Sequence, residues 1–174
     1  ASHPDVGEKR QCSMIEWVDG ELFSNLGRVE NGVVPEMTAR YKRLGSIAAE
    51  MHNQSEIWQE PQGFTRHSWD ADGLLGDNPL WGRFWEHPVL TANQKNQILK
   101  ARIVLRGLLD KIGKNSSNYG LIHADLMPEN MINTGNDLRL IDFDDCGYGW
   151  HLYDMATSLL PQITQPYFHE LVTA

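Results

Sequence analysis

The 174-residue sequence has few cysteines, few basic residues and no long apolar run. Its two cysteines, Cys12 and Cys146, lie far apart without the spacing of a metal site, so we expect two reduced thiols. Fifteen Lys and Arg against 23 Asp and Glu give a net charge of −8, which argues against binding to nucleic acid. No apolar run approaches the ~20 residues of a membrane span, and residues 1–10 lack the apolar core of a signal peptide. We therefore expect a cytoplasmic protein that does not bind a membrane.

The composition is that of one globular domain, with 41% hydrophobic and 22% charged residues. Residues 11–18 are typical of a short strand, closed by a turn at 19–20. Apolar residues at helical spacing predict an amphipathic helix over 36–54. Residues 55–88 contain four of the six Trp, which we interpret as core side chains rather than as a substrate box. They are Trp58, Trp69, Trp81 and Trp85.

The second half of the chain combines a long helix with short strands. Thr91 followed by Gln94 predicts a capping box at the start of this helix. Its expected buried stripe is Ile98, Leu105, Leu108, Leu109 and Ile112. Strands are predicted at 119–122, 131–133 and 138–141, with a hairpin turn at 134–137 and a final helix over 152–160. Helices followed by a small hairpin-rich sheet predict an α+β fold.

One stretch combines the residue types that phosphoryl transfer needs. It reads His123-x-Asp125, then Asn130, then a hairpin, then Asp142 directly after an apolar strand. Phosphoryl transfer requires a carboxylate that orients the acceptor hydroxyl and oxygen ligands that hold Mg²⁺. A loop with Asp125 and Asn130 five residues apart can aim one at the acceptor and the other at the metal. The hairpin then brings Asp142 back beside them, where a charged side chain at the end of an apolar strand suits a metal ligand.

The pattern His-x-Asp-x-x-x-x-Asn followed by Ile-Asp-Phe-Asp resembles the catalytic loop and metal strand of the aminoglycoside phosphotransferase and choline kinase superfamily. Residues 14–20 resemble the hinge of these kinase-like enzymes, and residues 153–156 resemble the helix after the metal strand. The resemblance implies ATP and Mg²⁺ as cofactors. It implies that Asp125 receives or orients the proton of the acceptor hydroxyl, and that Asn130 and Asp142 are metal ligands.

The same resemblance implies supporting roles for further residues. Adenine is expected to contact backbone atoms of Glu16 and Val18. His123 is expected to hold the loop by packing and hydrogen bonding, and Asp154 to brace the loop from the next helix. For Asp144 two interpretations stay open: a contact to a second metal or to the substrate, and a solvated loop acid.

Two parts of a complete kinase of this type are absent from the sequence. There is no Gly-x-Gly-x-x-Gly loop and no lysine on a plausible early strand, since Lys9 precedes the hinge by only a few residues. We therefore interpret residues 1–20 as the end of an N-terminal lobe and the hinge. Residues 21–174 are interpreted as a mainly helical C-terminal lobe of a protein-kinase-like fold, with a small hairpin sheet that carries the catalytic loop. Without its partner lobe the hinge strand is expected to be disordered or covered by another molecule, which includes a homo-oligomer formed through this strand.

These observations predict ATP- and Mg²⁺-dependent transfer of a phosphoryl group to a hydroxyl of a small molecule, which is an amino alcohol, an amino acid or an amino sugar. The chain is expected to act as part of a longer enzyme and to be inactive alone. An isolated lobe that serves only as a binding module is the alternative. A metal-dependent hydrolase built on His123, Asp125 and Asp142 is disfavoured, because its metals need more histidine at ligand spacing.

Overall fold

Helices flank two small sheets in the computed structural model, which describes residues 14–23, 35–135 and 137–174. The helices are α1 (Pro35–Ile57), α2 (Ala71–Leu75), α3 (Ala92–Ile112), α4 (His151–Leu159) and α5 (Phe168–Val172). The strands are β1 (Glu21–Leu22), β2 (Ser68–Trp69), β3 (Tyr119–Ile122), β4 (Met131–Asn133), β5 (Leu138–Leu140) and β6 (Gly147–Trp150). The α+β prediction is therefore confirmed. Within the described part of the chain, no helix is long and apolar enough to cross a bilayer.

Within the described residues each sheet has three strands, and the chain passes from one sheet to the other at the predicted catalytic loop. The first sheet has the order β1–β4–β5 and is antiparallel throughout. The second has the order β2–β6–β3, with β2 parallel and β3 antiparallel to β6. Two predicted strands, β3 and β4, are confirmed, and β5 ends one residue earlier than predicted. Residues 123–130 connect β3 to β4 and so lie where the two sheets meet.

Helix α1 supplies one wall of the main core. It begins at Pro35, whose fixed φ suits the first position of a helix, and it contains the predicted range 36–54. Tyr41 and Leu44 are buried on one face of this helix and belong to the same cluster as Leu126, which is fully buried. Because Leu126 lies in the loop between β3 and β4, the loop is anchored to the core from within.

The predicted strand over 11–18 is wrong in its described part. Residues 14–18 form no strand, and their Met and Trp side chains are exposed, whereas residues 11–13 lie outside the described residues. Pairing begins instead at β1, which lies antiparallel to β4. Gly20 permits this close approach, because a Cβ there would lie 2.5 Å from the carbonyl oxygen of Asn133. Among the described residues no strand pairs with 14–18, and an apolar run alone does not make a strand.

Helix α3 packs differently from the predicted stripe. Its capping box at Thr91 and Gln94 is confirmed. The stripe is about half exposed at Leu105, Leu108 and Ile112 and partly buried at Ile98 and Leu109. Two arginines of the helix contact its neighbours: Arg102 donates to the carbonyl of Leu75 and lies 4.2 Å from the ring centre of Trp85, and Arg106 donates to the carboxylate of Asp72. A long arginine side chain can cover apolar surface, which the spacing of apolar residues does not reveal.

Candidate active site

Asp125 and Asn130 contact each other across the loop that joins β3 to β4. The side-chain amide of Asn130 donates to the main-chain carbonyl of Asp125 at 3.0 Å and to its carboxylate Oδ2 at 2.6 Å. A short turn, Pro128–Asn130, closes the loop. Because the amide nitrogen makes both bonds, the amide oxygen of Asn130 and the second carboxylate oxygen of Asp125 are left for other ligands. The two residue types that the sequence singles out are thus brought together.

Asp154 lies beneath the first residues of this loop and is fully buried. Its carboxylate accepts hydrogen bonds from the main-chain N–H groups of His123 at 3.1 Å and Ala124 at 2.7 Å. A third donor, Nε2 of His52 on α1, lies 2.8 Å away. Ala124 has a φ of 68°, which a non-glycine residue rarely adopts and which therefore needs such support. The carboxylate thus occupies the bracing position that the sequence predicts for Asp154.

His52 itself was missed by the sequence analysis. It is buried and continues the core face of α1, four residues beyond Ala48, where an apolar side chain is the usual occupant. A histidine on the core face of a helix predicts a buried polar contact, because a buried imidazole needs a hydrogen-bond partner. Here the partner is Asp154, and the ring also stacks on His151 with centres 4.3 Å apart. Burial, and then the neighbouring His52, lowers the pKa of His151.

His123 connects the loop to the end of β5. One ring nitrogen, Nε2, donates to the carbonyl of Ile141 at 3.0 Å, and the other, Nδ1, accepts from the N–H of Asp125 at 3.3 Å. The two partners assign a neutral ring with its proton on Nε2, because a carbonyl only accepts and an N–H only donates. The ring also packs on Phe143 with centres 4.4 Å apart. This geometry agrees with the structural role predicted for His123 and leaves neither nitrogen for proton transfer.

Asp142 follows β5 beside Asn130. The N–H of Ile141 donates to the carbonyl of Asn130 at 3.0 Å, and Asp142 itself is exposed with a φ of 63°. One amide oxygen and one exposed carboxylate suit Mg²⁺, which usually binds one or two carboxylates together with phosphate oxygens and water. Among the described residues no three His, Cys, Asp or Glu side chains could hold a metal by themselves. The roles of Asn130 and Asp142 as ligands of Mg²⁺ stay predictions.

The backbone after Asp142 is held by side chains from the region just before α2. Arg66 donates to the carbonyl of Asp144 at 3.0 Å. The indole N–H of Trp69 donates to the carbonyl of Asp145 at 2.8 Å, and the ring of His67 bonds to the same carbonyl at 3.1 Å. These three contacts were not predicted, because nothing local marks residues that bond to a segment more than 70 positions away.

The tryptophans of 55–88 do not share one environment. Trp69 and Trp85 are buried, each 2% exposed, as predicted. Trp81 is 63% exposed and Trp58 is 36% exposed, so the interpretation of all four as core is wrong. The reason lies in packing: Trp81 stacks on the outer side of the buried Trp69, with ring centres 5.3 Å apart, and keeps its other face in solvent.

The remaining predicted residues are Glu16, Val18 and Asp144. Glu16 is exposed and Val18 is partly buried, and no described hydrogen bond ties either to the loop. Strand β1, just after them, contacts the turn Pro128–Asn130, so the chain at this end does run beside the loop. The side chain of Asp144 is exposed, which leaves both of its interpretations open. The adenine contacts at Glu16 and Val18 stay predictions.

A family model described as a phosphotransferase enzyme family matches residues 3–173, which is nearly the whole chain. The chain belongs to this family. The resemblance stated from the loop and strand motifs is thereby confirmed.

Relatives of this phosphotransferase chain are small-molecule kinases. An amicoumacin kinase from Bacillus subtilis (strain 168) is 26% identical over 127 residues, which cover 72% of this chain and 35% of the relative. The structure of a microcompartment-associated aminopropanol kinase is 36% identical with a TM-score of 0.69, and the match covers 77% of this chain and 42% of that one. The chain therefore spans less than half the length of these relatives.

Two more distant structures share the fold of this phosphotransferase chain. An amicoumacin kinase in complex with AMP-PNP, Ca²⁺ and Ami is 21% identical with a TM-score of 0.60, covering 84% of this chain and 45% of that one. A choline kinase from Streptococcus pneumoniae is 18% identical with a TM-score of 0.53, covering 80% of this chain and 45% of that one. These likenesses support the kinase-like fold.

Proposed function

We propose that this chain carries the catalytic loop and the metal ligands of an ATP- and Mg²⁺-dependent kinase that phosphorylates a hydroxyl of a small molecule. The observation that carries the proposal is the bond between Asn130 and Asp125. It orients a carboxylate that can receive a proton and leaves an amide oxygen that can bind a metal, side by side in one loop.

In the proposed reaction each of these residues has one role. As the acceptor oxygen forms its bond to the γ-phosphorus of ATP, the bond from that phosphorus to ADP breaks, and Asp125 receives the hydroxyl proton. Asn130 and Asp142 would hold Mg²⁺, which when bound neutralises charge on the phosphate oxygens. His123 ties the loop that carries Asp125 to the strand end that carries Asp142, so that the two keep their spacing during transfer.

Among the acceptors that the sequence predicts, we favour an amino alcohol. The relative with the highest identity reported above is an aminopropanol kinase. The net charge of −8 suits an acceptor with a protonated amine. Amino acids and amino sugars carry the same kind of amine, and they serve as comparison acceptors in the test.

The experiment is a phosphotransfer assay on the full natural polypeptide that contains this sequence, with ATP, Mg²⁺ and a panel of amino alcohols, amino acids and aminoglycosides. ADP release and ³¹P NMR of the product identify the acceptor. Asp125→Asn is expected to lower turnover by roughly 10²–10⁴ while nucleotide binding stays nearly intact. Asp110→Asn, an exposed acid on α3, is the matched control and should keep full turnover. Full activity in Asp125→Asn would show that the loop is misassigned.

A further inference from the structure

The rings of His52 and His151 form a stacked pair beside Asp154. Their centres lie 4.3 Å apart and their planes differ by 9°. His52 is buried on α1, and its Nε2 lies 2.8 Å from Oδ2 of Asp154. His151 is the first residue of α4, three residues before Asp154, so the two side chains are neighbours on the surface of this helix. The second ring therefore covers the ring that bonds to the carboxylate under the catalytic loop.

The fold leaves room for this pair at β3. A Cβ on Gly120 would lie 3.3 Å from Nε2 of His151 and 3.4 Å from Oγ of Ser55, which itself donates to the carbonyl of His52. A glycine at this position lets the ring of His151 approach the strand closely. The main chain of His151 is fixed as well, because its N–H donates to the carbonyl of Asn118 at 2.9 Å. The ring of His151 thus lies close to β3 and flat on His52.

The surroundings of His151 favour a neutral ring. Burial, and then the neighbouring His52, lowers its pKa, whereas the carboxylates of Asp154 and Glu56 act in the opposite direction, each with a smaller effect. The loop before β3 contributes the main chain of Ser117, which also opposes the shift. The first turn of a helix disfavours a positive charge, because the helix dipole has its positive end there. Two positive rings at this distance would repel each other as well.

We infer that His151 is a positioning residue, whose neutral ring holds His52 against Asp154, and that protonation of the stacked pair in mild acid loosens the catalytic loop. The inference rests on the proposed function, since this loop carries Asp125. A protonated His151 gains hydration when it leaves the half-buried stack for solvent. His52 then loses the ring that fixes its plane, and the carboxylate that supports the N–H of Ala124 loses its third partner.

The sign of the pH dependence follows from the lowered pKa of His151. In the unfolded chain this ring takes up a proton near its ordinary pKa of 6.5, whereas in the folded chain it does so only at lower pH. The folded chain therefore binds fewer protons in this range, and its stability falls as the pH falls below 6.5. His151→Phe keeps a ring for the stack and removes the titration, so this part of the pH dependence should disappear.

The first test measures the protonation itself in the 174-residue chain. The C2–H signals of its seven His rings are followed by NMR as the pH is lowered, and His151→Phe identifies the signal of His151. We expect this signal to titrate below 6.5 and the amide signals of His123 and Ala124 to shift with the same midpoint. In His151→Phe this shared shift should be lost. His52→Gln keeps a donor for Asp154 but removes the second ring, so it should move the titration of His151 to higher pH.

The second test measures the consequence for stability and turnover. Between about pH 7.5 and about pH 5.5, urea unfolding of the chain should show a smaller loss of stability in His151→Phe than in the parent. In the full natural polypeptide, the fall of kcat over the same range should be about threefold smaller in His151→Phe than in the parent. The control is His169→Gln, an exposed histidine on α5, which should behave as the parent in both measurements.

The inference is overturned by a His151 signal that titrates at or above 6.5, or by an equal pH dependence of unfolding in His151→Phe and the parent. If His151→Phe does not fold, His52→Gln decides, because an unmoved His151 titration then overturns the inference. If the full natural polypeptide is active and kcat of His151→Phe keeps the pH dependence of the parent, the positioning role is wrong and the proposed function stands. If the spectra follow the expectation but no hydroxyl compound is phosphorylated, the proposed function falls and the proton-linked support of the loop stands.

Discussion

Replacing Asp154 by Asn tests whether this buried carboxylate holds the catalytic loop. Its two oxygens accept from three donors, the N–H groups of His123 and Ala124 and the ring of His52. Asn has a single oxygen, which can keep the bonds of His123 and His52 on the Oδ2 side. Its NH₂ group then faces the N–H of Ala124, so that this buried donor loses a bond of 2.7 Å.

The expected cost follows from that one unsatisfied donor. A hydrogen bond to a charged group contributes about 1.5–3 kcal/mol, and a buried donor without a partner costs about 1–3 kcal/mol. Both figures describe the same lost bond and are not added, so we expect Asp154→Asn to lower the free energy of unfolding by about 2 kcal/mol. That is a large share of the ~5–15 kcal/mol by which domains are usually stable. Ala124 should be affected most, because its left-handed backbone depends on this contact.

Two measurements check the prediction. Urea unfolding followed by far-ultraviolet circular dichroism gives the change in the free energy of unfolding. Amide hydrogen exchange shows where the change acts, and we expect the N–H of Ala124 to lose more protection than the amides of β4 and β5. Asp72→Asn is the control, because Asp72 pairs with Arg106 on the surface with its side chain 79% exposed. Surface pairs contribute little, so this variant should unfold close to the parent.

The reasoning about Asp154 would be refuted by a variant that unfolds within 1 kcal/mol of the parent, at unchanged m-value, and keeps full protection at Ala124. Such a result would mean that the catalytic loop keeps its conformation without the bond from Ala124 to Asp154. A large loss of stability with uniform loss of protection would also count against it, because the effect would then be a general loss of packing.

Two further predictions concern the metal segment and the chain in isolation. Trp69→Phe keeps an aromatic ring beside Tyr153 but removes the donor to Asp145, so in the full natural polypeptide we expect weaker Mn²⁺ binding in the presence of ATP, measured by electron paramagnetic resonance. Trp58→Phe is its control, and an unchanged Mn²⁺ affinity in Trp69→Phe would contradict the prediction. The 174-residue chain alone is expected to show no measurable turnover in a coupled ADP assay, because its sequence has no glycine-rich phosphate loop. Micromolar Mg-ATP binding by calorimetry together with steady turnover would contradict this.

The sequence predicts those elements of the fold whose pattern involves only neighbouring residues. The capping box at Thr91, the strands around the loop and the helix over 36–54 each depend on residues a few positions apart, and each is confirmed. The predicted stripe on α3 and the described part, 14–18, of the strand predicted over 11–18 are wrong for a common reason. Their apolar residues mark surface that could be buried, but which surface is covered depends on neighbours elsewhere in the chain.

The sequence by itself determined the family and the residue types of the candidate site. Asp125 and Asn130 share one short loop, and a hairpin returns Asp142 to them, so covalent proximity is enough to group all three. Only the tertiary structure decided what holds and surrounds them. His52 meets Asp154 across 102 positions, and Trp69 meets Asp145 across 76. No periodic pattern in the sequence predicts such contacts, because the packing of separate elements determines which distant side chains meet.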